Sequence, residues 1–371
     1  MIFFCYNEKY DGIFKSQVIE VLKNYNELGF NIKLISFISL ASFFKERKKI
    51  KNEYNLSLVV PMIPFLKFWY LNKYFLRFFV KNSNFIIARG IFATNLAIFS
   101  RSDNCKVIYD GRGAINAEQK EYGVYNDTEM EDKIFEIEKN AVLNSSYRIA
   151  VTTKLIEYWG KNYEYKDKNH IVIPSCTKYI FEDFFFKNKL KITEEIIIIF
   201  SGSSSKWHSF KIMSSHFEKF LNFSSKIKII ILSKKNDYIS ELIKKYPGRI
   251  IHDWVEPHKI TNLLLTADYG YIYRLQSDTN YVASPVKIAE YLSCGLKLLI
   301  SDNLGDYSSL VKNKSLGYNL DDDSFNFSLL KKVSISEKIR ISSFAKKNLC
   351  LSSEKISKKY INLINENSLN K

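Results

Sequence analysis

Ser284-Pro285-Val286-Lys287-Ile288-Ala289-Glu290-Tyr291-Leu292-Ser293-Cys294-Gly295, continued by Leu296-Lys297-Leu298-Leu299-Ile300-Ser301, reads as loop, helix, glycine stop and buried strand. Ser284 suits an N-cap and Pro285 the first helical position. Gly295 falls where a glycine just past a helix end is expected. Lys287 and Glu290 are three apart, so they share one face of the first two turns. A helix N-terminus there offers unbonded N–H groups to an anion. The Lys adds positive charge, and the Glu can accept hydrogen bonds from a diol.

Working outward, short apolar runs alternate with longer helical patterns along the whole chain. One series of expected strands is Ile2–Cys5, Ile32–Ser36, Leu56–Val60, Phe85–Ala88, Val107–Tyr109, Arg148–Val151 and Ile171–Ile173. A second is Ile196–Ser201, Ile227–Leu232, Arg249–His252, Tyr269–Ile272, Lys297–Ile300 and Leu316–Asn319. Helical patterns fall between them at 13–28, 129–144, 206–222, 237–245, 257–266 and 285–294. Continuously apolar strands are covered on both faces, and strand–helix alternation makes parallel sheets. The fold class expected is therefore α/β, with two Rossmann-like domains. The first spans 1–176, a linker 177–194 follows, the second spans 195–334, and 335–371 forms closing helices. Ligands of such sheets sit beyond the carboxyl ends of the strands.

With 371 residues the chain is long enough for two cores. Its 55 Lys+Arg against 39 Asp+Glu give a formal charge of +16. An AT-rich coding bias towards Lys, Asn and Ile explains part of that. Attraction to an anionic membrane surface is the second explanation. Nucleic-acid binding ranks last, because the charge is scattered and no nucleic-acid motif occurs. Cys5, Cys105, Cys176, Cys294 and Cys350 are isolated and lie near apolar runs, as buried free thiols do. No signal-peptide pattern opens the chain, and no uncharged apolar run is long enough to span a bilayer.

The 284–301 segment resembles the donor-binding helix of GT-B glycosyltransferases, in particular the retaining group called glycosyltransferase family four. That group carries Ser-Pro-x-Lys-x-x-Glu-Tyr-Leu, then a small residue, Gly and a buried strand. The resemblance implies that Glu290 binds the donor nucleotide's ribose. Where the family often has a second Glu, eight residues earlier, this chain has Val282. The resemblance also implies a GT-B arrangement, two Rossmann-like domains facing a cleft, with the last helix crossing back onto the first domain.

Further candidates follow the strands. Ile196–Phe200 leads into Ser201-Gly202-Ser203-Ser204-Ser205-Lys206, where small residues let backbone N–H groups approach a phosphate and Lys206 adds charge. A plain strand–helix turn would look the same. By resemblance, Gly202, Ser203 and Lys206 meet the donor diphosphate. Arg274 ends a strand one loop before Ser284, within reach of a phosphate or sugar hydroxyl; the loop 275–283 is polar and is expected to close over the donor. Asp110-Gly111-Arg112-Gly113 resembles an Asp-x-Arg-Gly signature of some bacterial members, which makes Asp110 and Arg112 catalytic candidates. Arg89 ends the preceding strand in the same way, and a salt-linked loop is the alternative for all three. Gly12 is what remains of the glycine-rich loop that many members carry before the first long helix.

Phe65–Val80, FLKFWYLNKYFLRFFV, reads as a core-facing helix slightly ahead of an interfacial membrane helix, with Phe65, Phe68, Trp69, Phe75, Leu76 and Phe79 on one broad side. Asp321-Asp322-Asp323 formally fits an Asp-x-Asp metal motif but reads better as a helix cap. His-x-x-x-His, P-loop and Gly-x-Ser-x-Gly patterns are absent. The resemblance implies a retaining, metal-independent glycosyltransferase without a cofactor. Its partners are a nucleotide-sugar and a glycan or lipid-linked glycan acceptor, as in capsule or lipopolysaccharide assembly, and its place is the cytoplasm, peripheral at the inner face of the membrane. Two rivals remain: a sugar-nucleotide epimerase on the same fold, and a basic scaffold or nucleic-acid-binding protein.

Overall fold

The computed structural model describes residues 1–125, 128–178, 194–203, 209–255 and 257–368. The chain divides into two compact units: Met1–Lys178 together with Glu354–Lys371, and Tyr179–Ser353. The expected linker falls largely outside the described residues.

The first unit is built on β1 (Ile2–Tyr6), β2 (Lys33–Ile38), β3 (Ser57–Pro61), β4 (Phe85–Arg89), β5 (Lys106–Gly111), β6 (Tyr147–Ala150) and β7 (His170–Val172), in the order β3-β2-β1-β4-β5-β6-β7. The second uses β8 (Ile196–Ser201), β9 (Ile227–Leu232), β10 (Ile250–Asp253), β11 (Tyr269–Ile272), β12 (Lys297–Ile300) and β13 (Gly317–Asn319), in the order β10-β9-β8-β11-β12-β13. Every pairing is parallel. Each strand of the two expected series is present, and the central strands β1, β4 and β11 are buried at every residue. In the second unit Ile199, Leu298 and Ile300 face one apolar layer while Ile198, Tyr271 and Leu299 face the other.

Both sheets reverse direction once, between β1 and β4 and between β8 and β11. At such a point the helices on either side diverge and leave a crevice beyond the strands' carboxyl ends. The helix Glu354–Ser368 belongs to the first unit. Its Tyr360 ring packs 4.9 Å from that of Tyr25, and Lys359 donates to the Val172 carbonyl at 2.7 Å. In the second unit, Ile335–Asn348 packs against Val286–Ser293. Gly295 makes the approach feasible: its φ is +74°, and a Cβ there would stand 2.7 Å from the Lys338 carbonyl oxygen.

Two local readings change. The 65–80 segment is not one helix but a 3-10 stretch, Leu66–Asn72, followed by an α-helix, Lys73–Val80. Its buried face is Trp69, Asn72, Leu76 and Val80, so Phe65, Phe68 and Phe75 stay exposed instead of joining Trp69 and Leu76. The 275–283 loop is a packed turn: Asp278–Tyr281 is helical, Ser277 caps it by accepting from the Asn280 N–H, and Asn280 is buried. All five cysteines are buried free thiols. No helix among the described residues is long and apolar enough to cross a membrane.

Candidate functional site

The second unit places its candidate residues around its switch point. After β8 come Gly202 and Ser203; after β11 come Tyr273 and Arg274. The helix Val286–Ser293 then starts beside them. Its N-cap is Pro285, one residue later than the sequence suggests, and no side chain caps it. Ser284 instead shares a hydrogen bond with the Tyr307 hydroxyl, at 2.9 Å, which ties the incoming loop to the helix Tyr307–Asn313. Among the described residues the N–H groups of Val286 and Lys287 meet no acceptor, as expected of a helix start without a cap.

Tyr291 fixes this helix on the sheet. Its ring packs against Gly270 of β11, where an added Cβ would collide with ring carbons Cδ2 and Cγ. Its hydroxyl accepts the Ser201 N–H at 2.8 Å. One side chain therefore links the donor-helix candidate, β11 and the end of β8. The next N–H, that of Gly202, donates to the Leu232 carbonyl at 3.0 Å. It is engaged within the sheet, and what demands glycine at 202 is the Phe200 ring, 2.5 Å from any added Cβ. The Gly202 amide, which the sequence suggests as a phosphate donor, is thus engaged with Leu232 in this structure. Lys206 lies outside the described residues.

Arg274 is held from two directions. Its backbone N–H donates to Ser301 Oγ at 3.1 Å, and its Nη1 donates to Asn280 Oδ1 at 3.3 Å. Asn280 also donates to the Leu275 carbonyl at 2.9 Å, which shapes the turn from within. Sequence reading passed over Asn280, and a polar residue in a polar loop carries no signal that it will be buried. Val282 is also buried. Lys287 and Glu290 are half-buried on the same helical face, and among the described residues neither ends in an ion pair or side-chain hydrogen bond. Burial draws the Lys287 pKa down, Glu290 opposes this, and Arg274 adds to it. Burial pushes the Glu290 pKa up, and Lys287 opposes it. Two opposite charges thus stand out of bulk water without closing on each other. A ligand carrying an anion and hydroxyl groups can satisfy both.

The first unit treats its candidates differently. Arg89 Nε donates to Glu8 Oε2 at 2.9 Å and its Nη1 to Asp110 Oδ2 at 3.4 Å. Arg112 donates to Asp110 Oδ1 at 3.4 Å, to Gln17 Oε1 at 2.6 Å and to Ser175 Oγ at 3.2 Å. Gln17 donates onward to the Cys176 carbonyl at 3.0 Å. The Glu8–Arg89 pair joins the loop after β1 to the end of β4, the two strands at this unit's switch point. Burial alone would lower the Arg89 pKa, but the Glu8 and Asp110 carboxylates together outweigh it and raise it. Arg89, Asp110 and Arg112 are therefore brought together, as a network closed by Glu8 and Gln17, which the sequence did not single out. Gly12 opens its helix at the surface with open space around it, and Asp11 caps that helix by accepting the Phe14 N–H at 2.8 Å.

In the same unit Glu138 is fully buried. It accepts from the N–H groups of Ile115 and Asn116, at 3.1 and 2.6 Å, and from the Tyr163 hydroxyl at 2.9 Å. It so satisfies the start of the helix Ile115–Tyr122. Burial pushes its pKa up to about 7 against the pull of those three donors. Among the described residues no three His, Cys, Asp or Glu side chains are grouped to hold a metal. Asp321 is occupied by the Tyr273 hydroxyl and the Asp302 N–H, Asp322 by Ser324 and Lys312.

No family profile and no curated protein matches the sequence. Solved structures do match, over the whole chain. A glycosyltransferase from Rickettsia africae is 15% identical, with a TM-score of 0.69, over 100% of this chain and 99% of that one. HepE from Anabaena, solved in complex with UDP, is 12% identical with a TM-score of 0.70, over 98% and 99%. The lipopolysaccharide outer core galactosyltransferase WaaB is 12% identical with a TM-score of 0.66, over 99% and 99%. At these identities the likeness is one of fold, and the fold of this chain is that of the GT-B glycosyltransferases.

Proposed function

We propose that the chain is a glycosyltransferase that moves a sugar from a nucleotide-sugar to a growing bacterial surface glycan, such as a capsule or lipopolysaccharide chain, in the cytoplasm at the membrane's inner face. The observation that carries this reading is the Val286–Ser293 helix, where among the described residues the first N–H groups and the Lys287 and Glu290 side chains on one face meet no partner. Full-length likeness to glycosyltransferases, one of them holding UDP, supports it.

In this reading Glu290 accepts hydrogen bonds from the two ribose hydroxyls. The diphosphate lies against the helix start, Lys287 and Arg274, with Ser203 and Lys206 as further contacts. As the glycosidic bond breaks, negative charge grows on the diphosphate, and cations and amides already in place stabilise it without reorganising. That leaves no step for a metal, and retention of configuration belongs to the same proposal. Asp110, Arg112 and Arg89 hold the loops of the first unit, which in this reading serves the acceptor.

The test is a thermal-shift screen against UDP-, GDP-, CMP- and TDP-sugars, followed by transfer assays with EDTA. A donor at about 100 times its Kd stabilises by about 2.7 kcal/mol. One nucleotide series is expected to raise Tm, and transfer to survive EDTA. No shift with any donor sinks the reading; loss in EDTA restored by Mn²⁺ sinks the metal-free mechanism.

A further inference from the structure

The segment Phe65–Lys81 has a core face and an outer face, and the core face is fully used. Asn72 is completely buried, accepts the Ile63 N–H at 2.9 Å and donates to the Tyr6 hydroxyl at 3.2 Å. Trp69 and Leu76 are buried beside it. These contacts fix the segment to the sheet, so the outer side chains sit on a rigid platform. Their exposure is unusual for their size: Phe65 is 72% exposed, Phe78 69%, Tyr74 66% and Phe75 54%. Phe65 even adopts φ +65°, a conformation costly for a bulky residue. Phe65 meets Phe68 and Phe78 meets Phe79 edge-on, and these contacts leave the outer rings exposed.

The charges in this region are of one sign. No Asp or Glu occurs between Glu53 and Asp103. Lys67, Lys73, Arg77 and Lys81 sit among the exposed rings, with the Lys67 ammonium 5.4 Å from the Phe68 centroid, Lys73 5.2 Å from Tyr74 and Lys81 5.4 Å from Phe78. Rings that enter the headgroup boundary, with ammonium groups beside them that reach phosphates, are how an interfacial helix engages an anionic bilayer. A protein partner of matching chemistry would need acidic side chains around an aromatic-lined hollow. The aromatics here protrude instead of lining a hollow, which suits a fluid surface.

We propose that the outer face of Phe65–Lys81 docks on an anionic lipid bilayer, with Phe65, Tyr74, Phe75 and Phe78 entering the headgroup layer and Lys67, Lys73, Arg77 and Lys81 binding lipid phosphates. The full chain is sedimented with vesicles of phosphatidylcholine alone and of phosphatidylcholine with phosphatidylglycerol, at low and high salt. No nucleotide-sugar is present, so the result is independent of the transfer reading. The parent binds the anionic vesicles, less at high salt, and leaves the neutral ones. Lys67→Gln, Lys73→Gln, Arg77→Gln and Lys81→Gln together lower the partition coefficient by about a hundredfold or more. Phe75→Ser with Phe78→Ser lowers it by at least about tenfold even at low salt, since electrostatics alone no longer has an apolar anchor. Unchanged thermal unfolding shows that both variants are folded. A parent that binds no vesicle, or binds neutral and anionic vesicles alike, overturns the proposal, as do folded variants that bind like the parent.

Discussion

The two units carry the same kind of sheet and treat charge at its carboxyl edge in opposite ways. In the first, Glu8, Arg89, Asp110 and Arg112 close on one another and on Gln17 and Ser175. In the second, Lys287 and Glu290 share a helical face and stay apart. A residue type at a strand end does not distinguish the two cases; the count of satisfied partners does. Side chains whose hydrogen bonds are complete within the protein hold loops in shape. Side chains held out of water with their bonds unmade are the ones a ligand completes.

The contrast is easiest to break at Arg89. Removing it by Arg89→Ala leaves Asp110 buried beside Glu8 without the cation between them, and the expected loss is about 3–5 kcal/mol. Urea unfolding measures it, and Arg89→Met with Asp110→Leu should regain much of the loss. If Arg89→Ala instead unfolds like the parent and abolishes transfer, the network is chemical rather than structural.

Glu138 sharpens the same point through pH. Its folded pKa of about 7 lies above the ordinary 4.5, so the folded chain keeps a proton that the unfolded chain has released. Its contribution is full below about pH 4.5 and drains as pH rises to about 7, by about 3 kcal/mol in all. Glu138→Gln should flatten that slope between pH 5 and 7 in unfolding midpoints; an identical slope would mean that Glu138 is ionised throughout.

Glu290→Gln probes the open side. A charged hydrogen-bond partner is worth about 1.5–3 kcal/mol, so donor affinity should fall roughly ten- to a hundredfold while unfolding stays the same. Affinity within threefold of the parent, read by titration, would erase the distinction between the units.

The strands among the described residues could be read from the chain because central strands are written as unbroken apolar runs such as Ile196–Phe200. The Val286–Ser293 helix was equally plain, with its glycine stop. What could not be read was pairing between distant residues. That Gln17 meets Arg112, or that Asn280 holds Arg274, depends on where the sheet brings chain positions together. The 65–80 segment misled for a related reason: aromatic rings occur on most of its sides, and periodicity cannot choose which ring faces the core.

Gly270 and Tyr291 also limit how this chain can change over generations. Any side chain at 270 collides with the ring, which leaves no room even for a methyl group. Trimming the ring first strands the Ser201 amide that its hydroxyl satisfies. Each single step is therefore penalised in the presence of the other residue, and the two positions form an epistatic pair that drift must cross together or leave alone.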